Sequence, residues 1–183
     1  TPDSTKVAYL DNPISYTYDL SVKLLSGVSA ATKMDSGVDM MYGQISPDST
    51  RMIYPQNFNG YTSTMVSGLL NGTPVTVTLD SGIPFHSVKI TPAGDKVVYQ
   101  TNFDMVTGLA DLKVIPIAGG TKVSLASSVS QMWEITPGSD IVLFVDNFDN
   151  TNTFTGTLKA IPITGGTPVT PATGVTWQFD TVR

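Results

Sequence analysis

Apolar residues in this chain come in short runs separated by polar and glycine-rich stretches, and no stretch sustains a 3.6-residue period. One set of runs reads KVAYL, RMIYP, KVVYQ and IVLFV, beginning at Lys6, Arg51, Lys96 and Ile141, 45 residues apart each time. Each is closed in the same phase by an asparagine: Asn12, Asn57, Asn102 and Asn147. A second apolar run follows in every unit (SVKLL, MVSGLL, DLKVIPI, TLKAIPI), then a glycine turn and a third (VSAATKM, TPVTVTL, TKVSLA, TPVTP). A fourth closes the unit: VDMMYGQI, IPFHSVKI, VSQMWEI and VTWQF. The spacing therefore predicts four short β-strands in each 45-residue unit, with turn chemistry between them.

The punctuation repeats as strictly as the strands. Pro2, Pro47, Pro92 and Pro137 sit in TPDST, SPDST, TPAGD and TPGSD. Proline presets φ at the first central position of a tight turn, Asp or Ser bonds back to the backbone, and Gly supplies positive φ, so these are variants of one connection. The polar stretches after the asparagines (NFNGYTST, NFDMVTGLA, NFDNTNTFTGT) vary in length and belong on one common face.

Four strands per unit at this period define a β-propeller blade. The pattern of SPDS or TPAG, apolar strand, polar hairpin, LKVIPIAGG and closing strand resembles the TolB-type, WD-like propeller repeat, and does so four times along the chain. It departs from that family in unit number, since such propellers usually carry six or more blades, and in the first two units, where SG and NG replace GG. The resemblance implies a propeller fold and a tendency to bind macromolecules. It implies no active site, because the same blades also accompany peptidases whose catalytic domain lies elsewhere.

The expected fold is all-β: a single domain over residues 1–183, with repeats at about 1–45, 46–90, 91–135 and 136–183 forming a four-bladed propeller of four-stranded antiparallel sheets. Val7, Tyr9, Met52, Tyr54, Val97, Tyr99, Val142 and Phe144 are expected in its core. The chain begins at Thr1, inside a turn that should follow an inner strand, and the C-terminal Val175–Phe179 (VTWQF) aligns with the inner strand VSQMWEI. Val175, Trp177 and Phe179 are therefore expected to close the ring, or to complete the first blade of a neighbouring molecule. Closure within one chain is preferred because a tethered strand has a high effective concentration.

Composition narrows the functional classes. The net charge of -5 opposes nucleic acid and anionic membrane as partners, which call for a basic footprint. There is no cysteine, so disulfides and thiolate chemistry are excluded, and no apolar run is long enough to span a bilayer. Only 14% of residues are charged against about 25% in typical soluble domains, and Ser/Thr-rich stretches keep the surface wet. That favours a secreted or cell-surface protein, with the periplasm as alternative.

Candidate chemistry is sparse. His86, the only histidine, falls on an inner strand and is a candidate to line an axial channel, but it has no triad partner and no GxSxG elbow accompanies it. Asp146, Asp149 and Asn152 alternate like calcium ligands without the glycine and terminal glutamate of an EF-hand, so a polar hairpin is the simpler reading. The in-phase asparagines are expected to start hairpins by bonding nearby backbone. Trp133 and Trp177 suit packing between blades better than sugar stacking. Asn71-Gly72-Thr73 spells a glycosylation sequon and also a hairpin turn. No catalytic residue, cofactor or metal site is expected. The chain reads as a non-catalytic structural or interaction protein that associates with itself or other proteins, with a filament as one form of that association. A carbohydrate- or small-ligand-binding propeller and a propeller module of a larger envelope complex or peptidase are the alternatives.

Overall fold

The computed structural model describes residues 1–27, 30–39, 43–84, 87–149 and 151–176. These residues form strands and turns, with no helix among them. The first unit contributes β1 (Lys6–Ile14), β2 (Thr17–Leu24) and β3 (Thr32–Asp39), and the second β4 (Gln44–Ile45), β5 (Arg51–Gln56), β6 (Thr62–Leu69) and β7 (Thr76–Pro84). The third begins with β8 (Val88–Ile90), β9 (Lys96–Asp104) and β10 (Leu109–Pro116) and runs into β11 (Val123–Ile135). The fourth adds β12 (Ile141–Asp146), β13 (Gly156–Pro162) and β14 (Val169–Val175).

All pairings are antiparallel and mostly sequential, as short hairpin connections require. The strands make two seven-stranded sheets: β1-β2-β3-β5-β6-β7 with β4 on β5, and β14-β13-β12-β11-β10-β9-β8. Units merge because the end of an outer strand pairs with the second strand of the next unit. Val38 lies opposite Gln56 on β5, and β11 is an unbroken 13-residue strand that pairs first with β10 and then with β12. Fourteen strands rather than sixteen result. β11 serves two units, and the strand expected over Val175–Phe179 lies mostly outside the described residues. Within it, Val175 is the last residue of β14, opposite Gly156 on β13.

The turns behave as their spelling requires. Thr1, Ser46, Thr91 and Thr136 stand 45 residues apart, and each hydroxyl accepts the backbone N–H five residues on, at 3.0 to 3.2 Å. The same hydroxyl donates to an aspartate, which in the first two units is Asp3 or Asp48 and in the last two Asp95 or Asp140. Thus DST and AGD or GSD reach one hydrogen-bond pattern by two routes. The four asparagines all adopt left-handed φ, between 45° and 57°, a conformation that Asn tolerates better than other non-glycine residues. Their side chains correct the sequence-based expectation. Asn12, Asn102 and Asn147 donate to the carboxylates of Asp19, Asp111 and Asp146, not to backbone. Their structural role is the backbone kink itself.

Apolar packing lies between successive units. Leu20, Val22 and Val38 pack on Tyr54, Val66 and Leu70 between the first two. Ile53, Met65 and Ile83 pack on Val97, Tyr99 and Ile115 between the second and third, and Val98, Leu112 and Val129 on Val142, Phe144 and Ile161 between the third and fourth. Each unit buries one face against the next, as in arrays whose members cannot bury a core alone. Of the eight positions expected in the core, Tyr54, Val97, Tyr99, Val142 and Phe144 are buried. Val7 is 37% exposed, and Tyr9 and Met52 are half-buried. For Val7 and Tyr9 the reason is positional: their equivalents Val97 and Tyr99 pack on Ile53, Met65 and Ile83 of the unit before, and neither Val7 nor Tyr9 joins a core cluster among the described residues.

Candidate functional site: the unit-to-unit interface and its open ends

Register makes the units directly comparable. Leu20, Met65, Leu112 and Leu158 stand opposite Asp35, Asp80, Ala126 and Ala172 on the outer strands. The preceding strand carries Tyr9, Tyr54, Tyr99 and Phe144, whose partners Ser21, Val66, Lys113 and Lys159 are the next residues along. Across the interface these two series meet. The Tyr54 hydroxyl donates to Asp35 Oδ2 at 2.7 Å, and the Tyr99 hydroxyl to Asp80 Oδ2 at 2.7 Å. At the third interface both members change together, to Ala126 and Phe144, so no polar group is stranded there.

These bridges are buried and charge-assisted. Burial, reinforced by the aspartate partner, pushes both phenols well above the ordinary tyrosine range. Burial also raises Asp80, but Lys122 Nζ at 2.7 Å, the Tyr99 hydroxyl and the Ser81 N–H outweigh it and hold the carboxyl below the usual range. Asp39 differs. It is 7% exposed and accepts the Phe58 N–H at 2.8 Å, and burial lifts its carboxyl above the ordinary value.

Two more contacts recur. In the proline turns the Asp3 N–H donates to Ser49 Oγ at 3.0 Å and the Ala93 N–H to Ser139 Oγ at 2.8 Å, each one unit ahead. Between them Gly94 takes the serine's place with φ +81°, where a Cβ would crowd Pro47 Cδ at 3.3 Å. On the inner strands Gln44 bridges forward to the Val88 carbonyl at 2.7 Å and the Ile90 N–H at 3.2 Å. Lys89, 45 residues later, reaches the Trp133 carbonyl at 3.1 Å and Glu134 Oε2 at 2.6 Å while lying 4.9 Å from the Trp133 ring centre. Sequence reasoning missed Gln44, Lys89 and Glu134. Their 45-residue phase was visible, but Gln, Lys and Glu share no motif.

A cleft of about 200 Å³ opens beside β1, lined by Ala8, Leu10, Val38, Met52 and Tyr54. It lies between the first and second units, on the face where they pack. The fourth unit ends in β14, which pairs only with β13 among the described residues. No group of three or more metal-binding side chains occurs among the described residues.

The sequence-derived candidates distribute as follows. Val175 ends β14, while Trp177, Phe179 and His86 lie outside the described residues. Trp133 is buried in the core between the third and fourth units, under Lys89. Asp149 Oδ1 accepts the N–H and hydroxyl of Thr151 and the Asn152 N–H, and Oδ2 accepts the N–H and hydroxyl of Thr153. A carboxylate so occupied caps a turn. Asn71 stands exposed between β6 and β7.

Neither a family profile nor a characterised protein of known sequence matches this chain. Solved structures do. TolB from Acinetobacter baumannii superposes with a TM-score of 0.52 at 18% identity, over 94% of this chain and 42% of that one. An oligogalacturonate lyase in complex with manganese gives 0.57 at 15% identity, over 94% and 50%, and the tricorn protease 0.60 at 8%, over 93% and 18%. The chain thus spans half or less of each of these proteins. Its antiparallel, helix-free units, each packed face to face on the next, have the β-propeller fold of the TolB type.

Proposed function

We propose that the four 45-residue units are four propeller blades and that the chain is a non-catalytic structural and interaction module. It is exported, to the cell surface, the medium or the periplasm, and it associates with itself into a filament. The observation that carries this reading is the open first unit. Among the described residues the units share three packed interfaces, β1 pairs only with β2, and Val7 is exposed where Val97 and Val142 are sealed at 0%. Unpaired edges beside apolar surface are templates for strand addition. The missing inner strand is at hand: β14 leaves through Gly174 (φ 67°) and Val175 as β11 passes through Ser128 (φ 56°) and Val129 on its way into an inner strand.

Light scattering across a concentration series, with electron microscopy of the same samples, tests the reading. Particles that grow with concentration into linear assemblies are expected. A constant single-chain mass from micromolar to millimolar overturns it. The second reading is a propeller module of a larger enzyme or envelope assembly, favoured by the size of the solved proteins in which such arcs occur. A longer gene product that is monomeric and active selects that reading.

A further inference from the structure

The turns from β6 to β7, β10 to β11 and β13 to β14 set how closely each unit approaches the one before it. Leu70, Ile117 and Ile163 donate equivalent N–H bonds to the Thr50, Asp95 and Asp140 carbonyls, which places Gly72, Gly119 and Gly165 at one position, two residues on. In the third and fourth units a tight turn follows, closed by the Gly119 and Gly165 N–H groups on the Pro116 and Pro162 carbonyls. Each of these glycines lies against an outer-strand valine of the preceding unit, where an added Cβ would stand 2.8 Å from Val77 Cγ1 or 3.0 Å from Val123 Cγ1. The second unit breaks the pattern. Its turn, Asn71-Gly72-Thr73-Pro74, is one residue longer and closes from the Leu69 N–H to the Val75 carbonyl, and an added Cβ at Gly72 meets nothing within 4 Å. The position that holds Val77 and Val123 in the later units is Thr32 here, opposite Val22 as Val77 is opposite Ser67 and Val123 opposite Val114.

A gap results where the other interfaces are closed. It is a cleft of about 330 Å³ walled by Val22, Leu24, Met34, Leu70 and Pro74, with Thr32 and Asn71 as polar lining. Lys6 is the one charged residue that lines it among the described residues, and it is half-buried and in no ion pair there. Asp3 feels Lys6 only weakly, because Thr1 and Thr5 occupy its carboxylate. A mostly apolar cleft with a few polar groups that fix orientation is the general form of a small-molecule site. At about 30 Å³ for each group the size of a water molecule, this one holds about eleven. Apolar walls select a hydrocarbon chain, and an ammonium without an anion, beside an amide and a hydroxyl, selects a carboxylate head. We infer that the cleft binds a medium-chain aliphatic carboxylate, with its chain against Val22, Met34 and Leu70 and its head on Lys6. The site and the self-association proposed above stand independently of each other.

Isothermal titration calorimetry with decanoate, octanoate and 1-octanol, each below its solubility and micelle-forming limits, tests the inference. Each buried methylene is worth about fourfold in affinity, so octanoate should bind about 15-fold more weakly than decanoate. In the parent, 1-octanol should bind about tenfold more weakly than octanoate for want of a charge-assisted hydrogen bond, and in Lys6→Met, which keeps an apolar stem, the two should bind alike. Thr32→Trp, at an exposed strand position, fills the cleft and should abolish binding at unchanged melting temperature. Should that variant melt lower, methyl-labelled methionine locates the ligand in the parent: decanoate should shift the Met34 signal and leave that of the exposed Met105 unmoved. Failure of decanoate to bind overturns the inference, as does binding that survives in a folded Thr32→Trp or that leaves Met34 unshifted. If 1-octanol binds the parent as tightly as octanoate does, the carboxylate assignment is refuted.

Discussion

The Asp80–Tyr99 bridge offers a double-mutant cycle that the protein has already performed on itself. Tyr99 is fully buried and its hydroxyl is 2.7 Å from Asp80 Oδ2. Asp80→Ala alone strands that hydroxyl in the core, which costs about 1–3 kcal/mol, and it also frees Lys122, whose surface pair is worth about 0–1 kcal/mol. Tyr99→Phe alone removes one donor from a largely buried carboxylate, about 1.5–3 kcal/mol for a hydrogen bond to a charged group. The double variant has the composition of the third interface, Ala126 with Phe144, where no polar group is left unpaired. The second change should therefore cost little once the first is made, and the coupling energy should be about 1–2 kcal/mol. Urea denaturation of the four proteins at pH 7 measures it. On the thermal scale, each kcal/mol corresponds to about 2–4 °C for a chain of this size. A coupling below about 0.5 kcal/mol, the limit of simple additivity, would refute the idea that the bridge and its apolar replacement are equivalent solutions for one interface.

Two further outcomes follow from single residues. Because burial raises the Asp39 carboxyl, its ionisation opposes folding. That penalty is absent below the unfolded-state pKa and complete above the folded one, so stability falls as pH rises through that window. Asp39→Asn keeps an acceptor for the Phe58 N–H and should raise the melting temperature at pH 7, with no gain near about pH 3 where the carboxyl is protonated in both states. Equal gains at both would remove ionisation as the cause. Two Asn-Gly pairs are held differently: Asn59 Oδ1 accepts the Tyr61 and Thr62 N–H groups and its amide donates to Thr62 Oγ1, whereas Asn71 has no such bond among the described residues. On mildly alkaline ageing, attack of the Gly72 nitrogen on the Asn71 amide carbon expels ammonia and forms a succinimide that water opens to Asp and iso-Asp, and this should occur at Asn71 before Asn59 reacts. Peptide mass spectrometry that finds Asn59 changing first would contradict this.

Local chemistry was legible in the sequence because it acts within a few residues. The 45-residue period, the strand runs, the proline turns and the asparagine that closes each run after them all depend on spacing and residue type, whereas the Thr or Ser hydroxyl that ties each turn emerged only in the structure. Even there, the text promised backbone bonds for the asparagines. The structure gives left-handed φ and carboxylate partners, because Asp19 and Asp111 become neighbours only across a formed hairpin. Burial could not be read from spelling. KVAY and KVVY are nearly the same words, yet Val7 is 37% exposed and Val97 fully buried, because Val97 packs face to face on Ile53, Met65 and Ile83 of the unit before it and Val7 joins no core cluster among the described residues. The Asp–Tyr bridges were hidden for a related reason. The hairpin loops after β9 and β12 are longer than the one after β5 and the turns that follow are one residue shorter, so Ala126 and Ala172 fall out of phase with Asp35 in the text and return to it only in the register of paired strands. Sequence carries what adjacent residues impose on one another. Which unit faces which, and which face is left open, is decided only when residues 45 apart are brought within a hydrogen bond's reach.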